Sequence, residues 1–409
     1  MPEEQPTSPL AEALRGRDLA VLLGAGASVE AGVPTAPHLA AELSARMEKT
    51  ATSWRRHEAK ALNFVIGQMR AHASAEGLSP LTGPDVEELF SAVQMLTDRE
   101  HVELAPFVRA WHPAINSFGG ASHTNLTKLI NENVMNGGAF DPVGKEVRAL
   151  VRDETMGSGG STTYTQLLSS LQSLLCDVLR LPSDRFEYLR PLLRLPSVQI
   201  YATLNYDLGL ESAANAEAMS IDQGVESWGG GVDWTWTSPG AIKLLKLHGS
   251  INWKREQEYD SFDLRPLHVK VTTEPIDDPL IIFGRREKLR AEGPFLAMLA
   301  EFERAIAQIS ALLVVGYSFR DEHINVLLKR WLVADQDRRL AVIDPGFPEH
   351  WQQLGWSGGP RPFLASLAWL AQPATDQQGG GPAATQVWVD RRGASAGICA
   401  LAETLTTLG

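Results

Sequence analysis

The chain has 409 residues, 44% hydrophobic and 21% charged, with a net charge of −12 and two cysteines. That balance fits one large α/β domain with an insertion, or two domains, and excludes a disordered or fibrous chain. The acidic excess argues against direct nucleic-acid binding over a broad face, and two cysteines cannot build a four-cysteine zinc site within one chain.

The opening MPEEQPTSPL is acidic and Pro-rich, unlike a basic-then-apolar signal peptide. No apolar run approaches the roughly 18 residues of a membrane span. A cytoplasmic protein is expected, with residues 1–12 as a flexible tail and Cys176 and Cys399 as buried thiols. The first organised stretch is LAVLLGAGASVEAGVPT, Leu19 to Thr35. A short buried strand, a glycine turn and a helix start are the parts of a phosphate-binding βα unit. The third glycine of GxGxxG would fall at Val29, so the ordinary dinucleotide fingerprint fails.

Residues 36–195 read as a helical insertion between the first strand and the next. Helical periodicity marks Pro37–Met47, Ala59–Ala71, Asp85–Leu96 and Tyr164–Leu181. Gly-rich stretches at 136–138 and 156–163 read as mobile loops. The next strand, VQIYAT (198–203), runs straight into Leu204, Asn205, Tyr206 and Asp207. Trp228, Trp234, Trp236 and Trp253 read as packing residues. Further strands are expected at Ile242–Leu247, Pro279–Gly284, Ala311–Val315 and Leu340–Ile343, with helices at Leu296–Ile309 and Asp321–Leu332. A Gly/Pro/Gln loop (372–385), a short strand (386–389) and a terminal helix (396–405) follow. The alternation predicts a Rossmann-like, doubly wound parallel sheet formed by 13–35 and 196–409.

Five strand ends carry polar or glycine residues: Gly24–Ser28, Thr203–Asp207, His248–Ser250, Gly316–Ser318 and Asp344. In a doubly wound sheet these loops converge on one cleft. Asn205 can donate and accept, which suits a carboxamide or an oriented water, and His248 can take a proton near neutral pH. Plainer roles are open to each: Asn205 and Asp207 as caps of a helix from Leu208, His248 as a turn histidine, His323 as a helix-face residue. The other histidines show no metal spacing.

Taken in order, GAGAS with GVPT, TLNYD, LHGSINW, IIFG, GYSFRDEHIN and the final Asp-Pro resemble the sirtuin family. They are most similar to its bacterial branch that consumes NAD in defence against phage. The resemblance implies that Gly24, Ala25, Gly26, Ala27 and Ser28 cradle the NAD pyrophosphate and that Pro34 and Thr35 lie near the nicotinamide ribose. It places Asn205 and Asp207 in the nicotinamide and ribose pocket and makes His248 the catalytic base. Gly316 and Ser318 would hold the adenosine ribose and phosphates, with Asp344 nearby. Three features depart from deacylating sirtuins: Leu204 replaces the usual Gln, Thr35-Ala36-Pro37 stands where Asp-Phe-Arg is usual, and the zinc module is missing.

These departures turn the expectation towards a zinc-free NAD glycohydrolase, an antiphage effector releasing nicotinamide and ADP-ribose. Cleaving the nicotinamide–ribose bond requires a positioned ribose, a polar carboxamide pocket and a base for water. Control is expected through homo-oligomerisation or a partner such as a HerA-type ATPase or a short Argonaute. The rival readings are a protein deacylase or ADP-ribosyltransferase, and a non-catalytic scaffold that senses NAD or ADP-ribose. A nuclease is disfavoured by the lack of a carboxylate cluster for two metals.

Overall fold

The computed structural model describes residues 9–50, 56–77, 79, 83–99, 115, 162–256, 268–282, 293–350, 354, 361–371 and 386–408. They fall into two compact units, the first within Met1–Thr35, Val178–Ile282 and Arg286–Gly409, the second within Ala36–Asp177. The loops expected at 136–138 and 372–385, most of 156–163, and the helical text of 116–161 lie outside the described residues.

The first unit is built on a parallel sheet. Its strands are β1 (Leu19–Leu23), β2 (Val198–Thr203), β3 (Ile221–Asp222), β4 (Ile242–Lys246), β7 (Ala311–Val315), β8 (Arg339–Ile343) and β9 (Val387–Asp390). Their order across the sheet is β3-β4-β2-β1-β7-β8-β9, and each pair is parallel. A second, antiparallel pair joins β5 (Trp253–Arg255) to β6 (Val269–Val271).

The central strands read as unbroken apolar runs because both faces of the sheet are covered. Alternate residues divide between two cores. Ala20, Leu22, Ile200, Ala202, Leu245, Leu312 and Val314 enter one, while Leu19, Val21, Leu23, Tyr201, Leu244, Leu313 and Val315 enter the other. Helices α7 (Phe295–Ala307), α8 (Glu322–Ala334) and α9 (Pro362–Leu370) contribute to the first core through Phe302, Leu328 and Leu367. Helices α1 (Pro9–Leu14), α6 (Gly209–Ala216) and α10 (Ala394–Leu408) contribute to the second through Leu10, Ala213 and Ile398.

Several expectations are corrected. The tail expected over 1–12 ends in α1, because Leu10, Ala11, Ala13 and Leu14 are buried. Of the strand expected at Pro279–Gly284, the described residues 279–282 add no strand to the sheet; Ile281 forms an antiparallel bridge with Gly249. Cys176 is buried, but Cys399 is exposed. On α10 the buried positions Ala394, Ile398, Leu401 and Leu405 follow helical spacing, and Cys399 falls off that stripe. Trp228, Trp234 and Trp253 are buried as expected.

The second unit contains α2 (Ala36–Thr50), α3 (Arg56–Ala75), α4 (Val86–Thr97) and α5 (Thr162–Leu179) as far as Asp177. Leu39, Leu43 and Met47 form the buried stripe of α2, and Leu89, Phe90 and Val93 that of α4. Asp85 caps α4 by accepting the Glu87 N–H at 2.9 Å. Ser170 of α5 donates to Glu58 of α3 at 2.6 Å. Among the described residues, no helix is long and apolar enough to cross a membrane.

Candidate active site

Strand register brings the singled-out residues to one edge. Leu23 pairs with Thr203 and Val315, Thr203 with Lys246, Val315 with Ile343, and Ile343 with Asp390. Gly24, Gly316 and Asp344 therefore stand one residue beyond this line, and Asn205 and His248 two. The strand order reverses at β1, whose neighbours β2 and β7 lead to opposite sides of the sheet. That switch point, at the carboxyl ends of the strands, is where open α/β sheets bind ligands.

At the switch point the loops after β1 and β7 touch. The Gly24 N–H donates to the Val315 carbonyl at 2.9 Å, and the Gly26 N–H to the Gly316 carbonyl at 2.8 Å. A Cβ on Gly24 would sit 2.6 Å from the Gly316 oxygen, and one on Gly316 2.2 Å from the Ala27 nitrogen. Gly316 also has φ +63°, which favours glycine. These glycines are thus required first by the contact between two loops. The chain after Gly24 forms a four-residue 3₁₀ turn, Ala25–Ser28, and the next α-helix begins only at Ala36. The helix start expected directly after the glycine turn is therefore not formed.

A polar network joins this turn to the loop after β2. Asn205 Nδ2 donates to the Gly24 carbonyl and to Ser28 Oγ, both at 2.9 Å. Ser28 Oγ donates to Asp207 Oδ2 at 2.7 Å, and Asp207 Oδ1 accepts the Gly209 N–H at 2.9 Å. The Gly24 carbonyl can only accept, so the Asn205 amide must turn its NH₂ inwards. Its Oδ1 is then the atom available to accept a hydrogen bond. Both Asp207 oxygens have partners inside the protein, so Asp207 ties the first turn of α6 to Ser28. Tyr188 donates from outside the motif to the Ala27 carbonyl at 2.5 Å. Burial, then the charges of Asp207 and Glu30, push its phenol well above the usual range, so it stays protonated.

The second cluster is centred on His248. Its backbone is held by the Ile282 N–H, which donates to the His248 carbonyl at 3.0 Å. Gly249, with φ +87°, packs so closely on Leu280 that a Cβ would lie 2.2 Å from that carbonyl oxygen. His248 Nε2 lies 2.9 Å from Asp321 Oδ2, and both side chains are buried. Asp321 also caps α8, its Oδ1 accepting the His323 N–H at 3.2 Å. The Tyr317 hydroxyl donates to the Asp321 carbonyl at 3.0 Å and accepts the Asp321 N–H at 3.1 Å. His248, Asp321 and His323 line a cleft with Leu247, Phe295 and Ile324, so His323 faces the cleft as well as standing on a helix.

The remaining candidates are more peripheral. Ala25 and Ser318 are exposed, Pro34 is half-buried and Thr35 exposed. Asp344 is half-buried, and its Oδ1 accepts the Gly346 N–H at 2.8 Å. Burial raises its carboxyl above the usual range, opposed by that N–H and by the charge of Arg361. The sequence reading missed Asp321, Tyr188, Lys246 and Glu211. Asp321 stood in plain view inside GYSFRDEHIN, but only the fold shows that its second oxygen meets His248. Among the described residues, no three His, Cys, Asp or Glu side chains are grouped to hold a metal ion.

Comparison with solved structures gives matches at low identity and low TM-score. A Sir2 homologue–NAD complex is 11% identical over 98% of this chain and 93% of its own, with TM-score 0.42. A Sir2 homologue variant with ADP-ribose is 10% identical over 98% and 96%, with TM-score 0.41. A structure described as bearing on the mechanism and regulation of Sir2 enzymes is 13% identical over 97% and 96%, with TM-score 0.38. No curated protein gives a significant sequence match. The SIR2-like domain family matches residues 199–355, the run that carries Asn205, Asp207, His248, Gly316, Ser318, Asp321 and Asp344.

Proposed function

We propose that this chain is an NAD glycohydrolase that cleaves NAD to nicotinamide and ADP-ribose. The observation that carries the reading is the pairing, on one sheet edge, of an oriented Asn205 acceptor with a buried His248–Asp321 pair. The SIR2-like match over 199–355 supports NAD as the ligand class. The contacting glycine loops at the switch point suit a pyrophosphate, and Asp344, one residue past β8, offers a carboxylate to a ribose hydroxyl.

In the proposed reaction a water oxygen bonds to C1′ of the ribose as the C1′–N bond breaks. The electron pair of that bond leaves on the nicotinamide nitrogen, and the water gives up a proton. Asn205 Oδ1 orients the water or the carboxamide. His248 takes the proton, with Asp321 fixing the ring and facing the imidazolium that forms. Asp207 and Ser28 hold Asn205 in register and need not touch the reacting atoms. No acyl-lysine machinery is needed for this chemistry, and water suffices as acceptor.

The resemblance of the ordered motifs to the phage-defence branch supports a setting of NAD depletion under control by self-association or a partner protein. The test is nicotinamide release by purified wild type, Asn205→Ala and His248→Ala, alone and with any co-purifying partner. Release by wild type and its loss in both variants is expected. Tight NAD binding without release in either setting would refute hydrolysis and favour the sensing scaffold.

A further inference from the structure

Lys246, the last residue of β4, is wholly buried (0% exposed). A buried ammonium group costs several kcal/mol unless it is paired and hydrogen-bonded, so its partners define its task. Its Nζ donates to the main-chain carbonyl of Asp207 and lies 2.9 Å from Glu211 Oε1 in the first turn of α6. Glu211 Oε1 also accepts from Gln223 Nε2 at 3.2 Å, and Gln223 Oε1 accepts from the buried Trp253 Nε1 at 2.7 Å. A continuous line of bonds thus runs from the β5 tryptophan to the loop that carries Asn205 and Asp207. Lys246 stands two residues before His248 on the same strand end.

We propose that Lys246, braced by Glu211, is a positioning residue that clamps the Asn205–Asp207 loop to the strand carrying His248. The clamp sets the spacing between the two groups assigned to the reaction, and in that respect the inference rests on the hydrolase reading. A purely stabilising ion pair makes a different prediction. Replacing both members of such a pair by apolar side chains of similar volume is often neutral for stability. Stability and loop order should then move together. For a clamp they separate, because the Asp207 carbonyl loses the Lys246 Nζ donor.

The test compares wild type, Glu211→Gln, Glu211→Leu and the pair Lys246→Met/Glu211→Leu by thermal unfolding, by hydrogen exchange of a peptide covering 204–210, and by kcat and KM for NAD. The pair is expected to unfold within a few degrees of wild type, while exchange in 204–210 rises about 10-fold or more and kcat falls about 10-fold or more with little change in KM. Glu211→Gln, which keeps an oxygen acceptor for Nζ, should recover most of what Glu211→Leu loses. Wild-type exchange in 204–210 in both the pair and Glu211→Leu overturns the clamp. Exchange is read without NAD, so a wild type that cleaves none, either alone or with a co-purifying partner, would refute the hydrolase while exchange alone decides the clamp. If the pair fails to fold, the Gln and Leu variants at the partly exposed Glu211 decide by the same readouts.

Discussion

Asp321 performs two tasks with two oxygens, and the substitution Asp321→Asn separates them. Oδ1 caps α8 through the His323 N–H, while Oδ2 meets His248 Nε2. Asn and Asp are nearly equivalent as N-caps, so the fold should lose less than about 1 kcal/mol. The asparagine amide, however, presents an N–H to Nε2 where the carboxylate presented an acceptor. His248 must then carry its proton on Nδ1, the nitrogen that would otherwise receive one from water. General-base catalysis contributes about 10²- to 10⁴-fold, so kcat for nicotinamide release should fall by at least about 100-fold, or about 2.7 kcal/mol in barrier. Asp321→Ala provides the contrast: it loses the cap, about 0.5–2 kcal/mol, and strands a buried ring nitrogen at a further ~1–3 kcal/mol. Urea unfolding and steady-state nicotinamide release, run on both variants, check the two halves. An Asn variant with wild-type kcat would refute the assignment of Asp321 to the base.

Three further predictions follow from other parts of the molecule. Gly316→Ala forces a side chain into φ +63° and against the Ala27 and Gly26 backbone; it should cost at least about 2 kcal/mol in urea unfolding. Glu217 is held down to about 2, from an ordinary 4.5, by hydrogen bonds from Arg194 and Arg190. A depressed carboxyl contributes stability above its unfolded value and loses it as pH falls towards the folded one. Glu217→Gln should therefore be less stable than wild type at pH 7, with the gap closing between about pH 4.5 and pH 2 in thermal scans. Cys399 is exposed, and Glu403, accepting its thiol at 3.3 Å, raises its pKa. Iodoacetamide should label Cys399 and spare Cys176 in the folded protein, faster in Glu403→Gln; equal rates for the two cysteines would contradict the assigned burial.

The parallel sheet was legible because strands covered on both faces are written as short, continuous apolar runs. LAVLL, VQIYAT and ALLVV needed no periodicity to be found, and the polar residues after them marked the edge. Short pieces were not legible. Ile221–Asp222 and Trp253–Arg255 owe their strand form to partners distant in sequence. IIFG has strand-like residues, yet Ile282 and Leu280 spend backbone bonds on His248 and Ser250 instead of a sheet. At the site, residue types announced Asn205 and His248. The roles of Asp321, Lys246 and Tyr188 depend on which loop each meets, and an aspartate before a helix pattern looks the same whether or not its second oxygen finds a histidine. The glycine turn carried a different lesson: its residues were recognised, but the tightest constraint on them is another loop of the same protein.

The central position of β1 also governs the order in which this protein can be assembled. Its five residues are all buried, and its two neighbours begin only at Val198 and Ala311. During synthesis one edge of this apolar strand stays uncovered until β2 emerges, and the other until β7 does. Closing a long loop adds little to the equilibrium cost, about 0.6 kcal/mol for each doubling of length, but non-local pairing slows the search. The nascent chain therefore carries a strand with one uncovered edge until β7 emerges, and chains truncated before Ala311 should be captured by chaperones or aggregate.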